Sequence, residues 1–169
     1  MAKVYPNKIA VHIEERLPFA LWQQDDVVKL VDREGRALAD YTGRYPYLPL
    51  VVGDGAASHA ASLLSSLEHF PEIATRVKAR IRVGNRRWDL QLDNGLLVML
   101  PEVGVERELQ RLAKLSQEQG IFERELKRID MRLPDRLVLK LSDAGLAHYQ
   151  QLVKERQYVL AKATRGRQL

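Results

Sequence analysis

The stretch 77–100, VKARIRVGNRRWDLQLDNGLLVML, decides how the rest of the chain is read. Val77, Ala79, Ile81 and Val83 alternate with Lys78, Arg80 and Arg82, the period of two that sends successive side chains to opposite faces of a strand. Gly84-Asn85 interrupts the run, and alternation resumes at Trp88, Leu90 and Leu92. Asp93-Asn94-Gly95 then supplies residues that tolerate positive φ, the requirement of a tight hairpin, before the apolar run 96–100. A three-stranded meander is predicted.

Toward the N-terminus, Ile9, Val11 and Ile13 share one parity against Lys8, His12 and Glu14, a half-buried strand that Pro18 ends. Leu21-Trp22 is a short apolar step, and 27–31 with 36–39 form a hairpin around Asp32-Arg33-Glu34-Gly35. Residues 41–49 carry three Tyr, two Pro and a Gly and are expected as an ordered loop before a brief strand over 50–52. Ala60, Leu63, Leu64 and Leu67 recur at helical spacing and predict a helix that Pro71 closes.

Toward the C-terminus, Pro101-Glu102 is expected to open a second helix with Val105, Leu109 and Leu112 on one face and Gly120 as its stop. Residues 126–132 and 136–141 form another strand pair joined by Leu133-Pro134-Asp135, with Leu137, Leu139 and Leu141 on one face. From Asp143 onward a helix with a ragged stripe of Leu146, Tyr149, Val153 and Leu160 is predicted, frayed at its end. The fold class is therefore α+β: a mostly antiparallel twisted sheet with two packed helices and a C-terminal helical tail.

Composition narrows what such a fold does. At 169 residues with 46% apolar and 29% charged, the chain has the profile of one globular domain with appendages. It lacks cysteine, so thiolate chemistry and disulfides are excluded. No apolar run reaches the roughly 20 residues of a membrane-spanning helix. The net charge of +5 favours acidic partners, although Arg and Lys alternate with Glu and Asp along most of the chain.

Five patterns that imitate chemistry are set aside on sequence grounds. Gly53-x-Gly55-x-x-Ser58 lacks the third glycine of a dinucleotide loop and is read as flanked by hairpins instead of βαβ units. His12, His59, His69 and His148 lie far apart, without metal-ligand spacing, and Ser58-His59 lacks a nucleophile motif. The acidic pairs Glu14-Glu15 and Asp25-Asp26 carry no sign of burial. Lys78, Arg80, Arg82, Arg86 and Arg87 suggest a basic stripe for nucleic acid, yet Trp88 shares parity with Leu90 and Leu92 and is expected inward, away from stacking. A binding module is expected, not an enzyme, with no cofactor, no metal, no nucleic acid and no small-molecule substrate.

One feature remains. The strand over 136–141 has no later strand to pair with, so at a sheet edge its free amides and carbonyls accept a partner strand unless the C-terminal helix covers them.

Four stretches in order, 5–22 (YPNKIAVHIEERLPFALW), 48–53 (LPLVVG), 87–95 (RWDLQLDNG) and 130–136 (DMRLPDR), resemble the extracytoplasmic C-terminal region of the bacterial FtsQ/DivIB division proteins. The resemblance implies a non-catalytic divisome scaffold: a cytoplasmic tail, one membrane span, a POTRA domain and this β domain on the periplasmic side of the inner membrane. Residues 1–15 would then be the last strand of a truncated POTRA domain, 16–142 the β domain and 143–169 the tail. In the family, the loop and strand after the Asp-Leu-Arg motif bind the coiled-coil proteins FtsB and FtsL, and FtsB adds a strand. Carried across, Leu133, Asp135, Arg136, Leu137, Val138, Leu139, Lys140 and Leu141 are the partner-binding residues, with backbone pairing centred on Val138. Leu133 and Leu141 stand where many members have aromatics. Arg107 and Arg111 on the second helix are expected to steer acidic partner residues. Two rival classes remain: a POTRA-type subunit of an outer-membrane transport or assembly machine, which would continue into barrel strands, and a basic nucleic-acid-binding domain.

Overall fold

A computed structural model describes the backbone of residues 2–4, 8–10 and 15–165, and the side chains of 15–158. Strands β1 (Ala2–Val4) and β2 (Lys8–Ala10) pair antiparallel; part of the period-two run, 11–14, falls outside the described residues. The remaining strands are β3 (Ala20–Gln24), β4 (Val27–Val31), β5 (Ala37–Asp40), β6 (Leu50–Val52), β7 (Val77–Val83), β8 (Arg87–Leu92), β9 (Leu97–Met99), β10 (Leu126–Asp130) and β11 (Val138–Leu141). They form one nine-stranded sheet in the order β11-β10-β9-β8-β7-β6-β3-β4-β5.

The meander is present as β7-β8-β9, antiparallel throughout. Its first turn carries positive φ at Gly84 and Asn85, and its second at Gly95. Asn94 ties that second turn down, accepting from Leu96 N and donating to Phe122 O. The hairpin β4-β5 also forms, and 41–49 connects without strand or helix.

Most pairings are antiparallel, as expected, but β3-β6, β6-β7 and β9-β10 are parallel. Parallel neighbours need a long crossover, and two of these connections run through helices: α1 (Ala56–Glu68) between β6 and β7, and α3 (Val105–Gln119) between β9 and β10. The Gly53–Ser58 segment therefore does lie in a βαβ unit, contrary to the hairpin reading. The space at its helix start is filled by the chain itself, because a Cβ on Gly55 would collide with the Asn85 side chain.

The helix α1 packs on β3 and β6 and touches α3. Their apolar faces, including Leu63, Leu67, Leu109 and Leu112, close over Val51, Trp88, Leu90, Val98 and Ile129 to form the core. The helix α3 starts at Val105 and not at Pro101, because Gly104 at φ 78 precedes it and 101–104 remain a loop; Gly120 at φ 56 stops it, as its sequence position predicts. Pro71 opens a single short turn, α2 (Pro71–Ala74). The C-terminal helix is α4 (Asp143–Arg165).

Candidate interaction edge

The strand β11 is the border of the sheet, bonded only to β10 among the described residues, and all four of its residues are exposed. What decides whether a border can accept a strand is the direction of its free amides. Met131 N donates to Met99 O and Ser142 N to Glu125 O. Peptide groups alternate in direction along a strand, so Asp130 and Arg128 face β11, and their register partners Val138 and Lys140 face β10. The amide of Leu139 therefore points out of the sheet. This corrects the expectation centred on Val138, whose amide belongs to the internal ladder.

The approach to this edge is a rigid corner. Met131 is fully buried, and Arg132 grips Asp130 through its own backbone N (3.1 Å), Nε (2.9 Å) and a guanidinium contact at 2.7 Å. Hydrogen bonding from Arg132 holds the Asp130 carboxyl below its ordinary value. Leu133 is half exposed at the tip of the turn, and Arg136 folds back onto Asp135 at 3.1 Å. Leu137 departs from its predicted companions: it is partly buried against the core, while Leu139 and Leu141 on the strand proper remain exposed.

Among the described residues, the tail does not seal the edge. Ser142 N and Oγ donate to Glu125 O at 2.9 and 3.1 Å, and Gly145 sits so close that an added Cβ would lie 2.5 Å from the same carbonyl. The helix α4 is therefore rooted at the start of β10. Beyond that root, Leu146, Tyr149, Leu152 and Tyr158 are all exposed.

Arg107 and Arg111 are not on the edge strand. They flank Glu108, which is buried to 2% and holds Arg107 Nε at 3.3 Å and Arg111 at 3.5 Å. Arg107 lines a cavity of about 240 Å³ that also touches Met131, Arg132 and Pro134, so it adjoins the corner before β11. Both arginines also line a groove with His69 and Phe70. Glu108 escaped sequence reading because it precedes Leu109 on the helix and resembles any solvated glutamate.

The basic stripe is also corrected. The register Arg80↔Leu90 and Arg82↔Trp88 places both arginines on the Trp88 face, because a bulge between Val77 and Ala79 reverses the parity. Arg80 is buried, Arg82 stacks over Trp88 at 5.1 Å, and Arg87 lies 3.6 Å from Asp89. Among the described residues, no group of three or more His, Cys, Asp or Glu is arranged to hold a metal, and no helix is long and apolar enough to cross a membrane.

Comparison with known proteins places this architecture. The family described as "Cell division protein FtsQ/DivIB, C-terminal" matches residues 20–132. The cell division protein FtsQ of Rhizobium radiobacter is 37% identical over 165 residues, which cover 97% of this chain and 79% of that protein. FtsQ of Bradyrhizobium diazoefficiens is 42% identical over 151 residues, 88% of this chain and 44% of its own length. The chain spans about half the length of several such relatives. The major extracytoplasmic domain of DivIB from Geobacillus stearothermophilus aligns with 64% of this chain and 97% of its own, at a TM-score of 0.42 and 13% identity. A family match over more than half of the chain, and a 37% identical relative spanned over most of its length, lead to one conclusion: the chain belongs to the FtsQ/DivIB family of cell division proteins.

Proposed function

We propose that the chain is the β domain of a non-catalytic division scaffold and recruits the FtsB/FtsL coiled coil by strand addition along β11. The observation that carries this reading is the open border, with the Leu139 amide unpaired within the sheet and its side chain 40% exposed. Main-chain bonding supplies affinity without requiring particular side chains, which suits an edge strand that presents only Val138, Leu139, Lys140 and Leu141. Leu133 at the corner and Leu139 and Leu141 on the strand offer the apolar contacts; Arg107, held by Glu108, flanks them. In the full-length protein this domain stands on the periplasmic side of the inner membrane, behind a single span and a POTRA domain whose last strand lies in residues 1–15; residues 16–142 are the β domain and 143–169 its tail.

Two proline variants test the proposal. Leu139→Pro removes an outward amide, a substitution that edge strands tolerate, and is expected to weaken binding of a soluble FtsB fragment by about 1–3 kcal/mol while the protein stays folded. Val138→Pro breaks the β10-β11 ladder and lowers folding stability as well. Unchanged FtsB affinity in a folded Leu139→Pro protein would contradict strand addition.

A further inference from the structure

Among the described residues, the fold buries four charged side chains: Asp32, Arg80, Asp89 and Glu108. Three have counter-ions. Asp32 holds Arg36 at 2.8 Å, Asp89 lies beside Arg87 at 3.6 Å, and Glu108 sits between Arg107 and Arg111. Arg80 has none among the described residues. It is 7% exposed, its Nε finds no acceptor, and its guanidinium reaches only the Ala74 carbonyl at 3.5 Å. Burial pulls its pKa below the ordinary value, yet a guanidinium stays charged. A buried, unpaired cation is costly and calls for a reason.

Arg80 and Ala74, whose carbonyl its guanidinium reaches, both line a cavity of about 460 Å³ that Leu21, Leu50, Val77 and the exposed Tyr47 of the 41–49 loop also line, with Lys78 as a second cation. Among the described residues, no acidic one lines it. Its size is within the range of small-ligand and peptide-anchor pockets. The fork of an arginine matches a carboxylate through two parallel hydrogen bonds, and apolar walls accept the body attached to it. A phosphate dianion fits less well, because the Ala74 carbonyl faces the same guanidinium and the pocket offers few further donors.

We propose that this cavity is a binding site for a carboxylate carried on an apolar body, with Arg80 pairing the acid, Lys78 attracting it and Leu21, Leu50, Val77 and Tyr47 enclosing the remainder. Two sources share that chemistry: a free amphipathic acid, and an acidic side chain next to an apolar one in an extended protein segment. The site lies near the N-terminal ends of β6 and β7, separated from β11 by β8, β9 and β10, so it is independent of strand addition.

The test titrates the full 169-residue chain with 4-phenylbutyrate and with the peptide acetyl-Leu-Glu-Leu-amide, observing the Arg80 Nε–H signal by NMR. Saturable shifts with either probe are expected, and the tighter probe identifies the source. The neutral 4-phenylbutyramide should bind at least tenfold more weakly, as should both acids to Arg80→Met. Arg80→Met is also expected to raise Tm, since it replaces a buried unpaired charge by an apolar chain of similar length. The proposal is overturned if neither acid binds, if the amide binds equally well, if Arg80→Met retains binding, or if that variant melts lower, which would make Arg80 a packing residue.

Discussion

Two aspartates one strand apart show how local partners set opposite behaviour in one residue type. Asp89 and Asp130 both register with Met99 and so lie on the same sheet face. Burial pushes the Asp89 carboxyl above 3.8, outweighing the pull of Arg87, whereas hydrogen bonds from Arg132 hold Asp130 below it. The linkage signs therefore differ. The Asp130 contribution is complete above the ordinary carboxylate value and is lost as pH falls through its depressed one. Asp89 favours the folded state only while protonated, and that contribution is lost as pH rises through its raised value. A carboxyl-carbon NMR titration should place the two midpoints on opposite sides of 3.8, and a shared midpoint would refute the assignment. After allowance for solvent screening, Asp130→Asn is expected to cost about 0.5–1 kcal/mol at neutral pH and nothing in strong acid. Single residues of this kind were poorly legible in the sequence. Asp89 sits in an alternating strand like any outward polar residue, and Arg80 was misplaced because one bulge, invisible in the pattern, shifts the parity after Val77.

Elements were more legible than partners. The meander, the β4-β5 hairpin, both main helices and the final strand pair follow from periodicity and from glycine and proline positions, physics that acts within a few residues. The parallel pairings of β6 and β10 do not, because a helix can return its chain to either side of a strand and long-range packing makes the choice. The helix α4 is a further case. Its ragged apolar stripe was visible, but its rooting at Glu125 and its exposure beyond Gly145 depend on contacts made 17 residues away, between Ser142 and Glu125. Because the described part past the root buries little, truncation after Ala147 is expected to change Tm by no more than about 2 °C, within the range of surface changes. A drop several times larger would mean that α4 packs on the domain.

At the scale of the whole molecule, one sheet separates two candidate surfaces. The β11 border offers backbone to a partner, and the cavity at Arg80 offers a buried cation, with the helix-covered core between them. Family membership makes the molecule a division protein; recruitment rests on the border. Strand addition makes a demand that side-chain contacts alone would not. The test is amide hydrogen exchange of β11 with and without a soluble FtsB fragment. The account predicts slow exchange at Val138 and Lys140 in the free protein, fast exchange at Leu139, and at least tenfold slowing of Leu139 in the complex. A Leu139 amide already protected in the free protein, or unchanged when FtsB is bound, would contradict it.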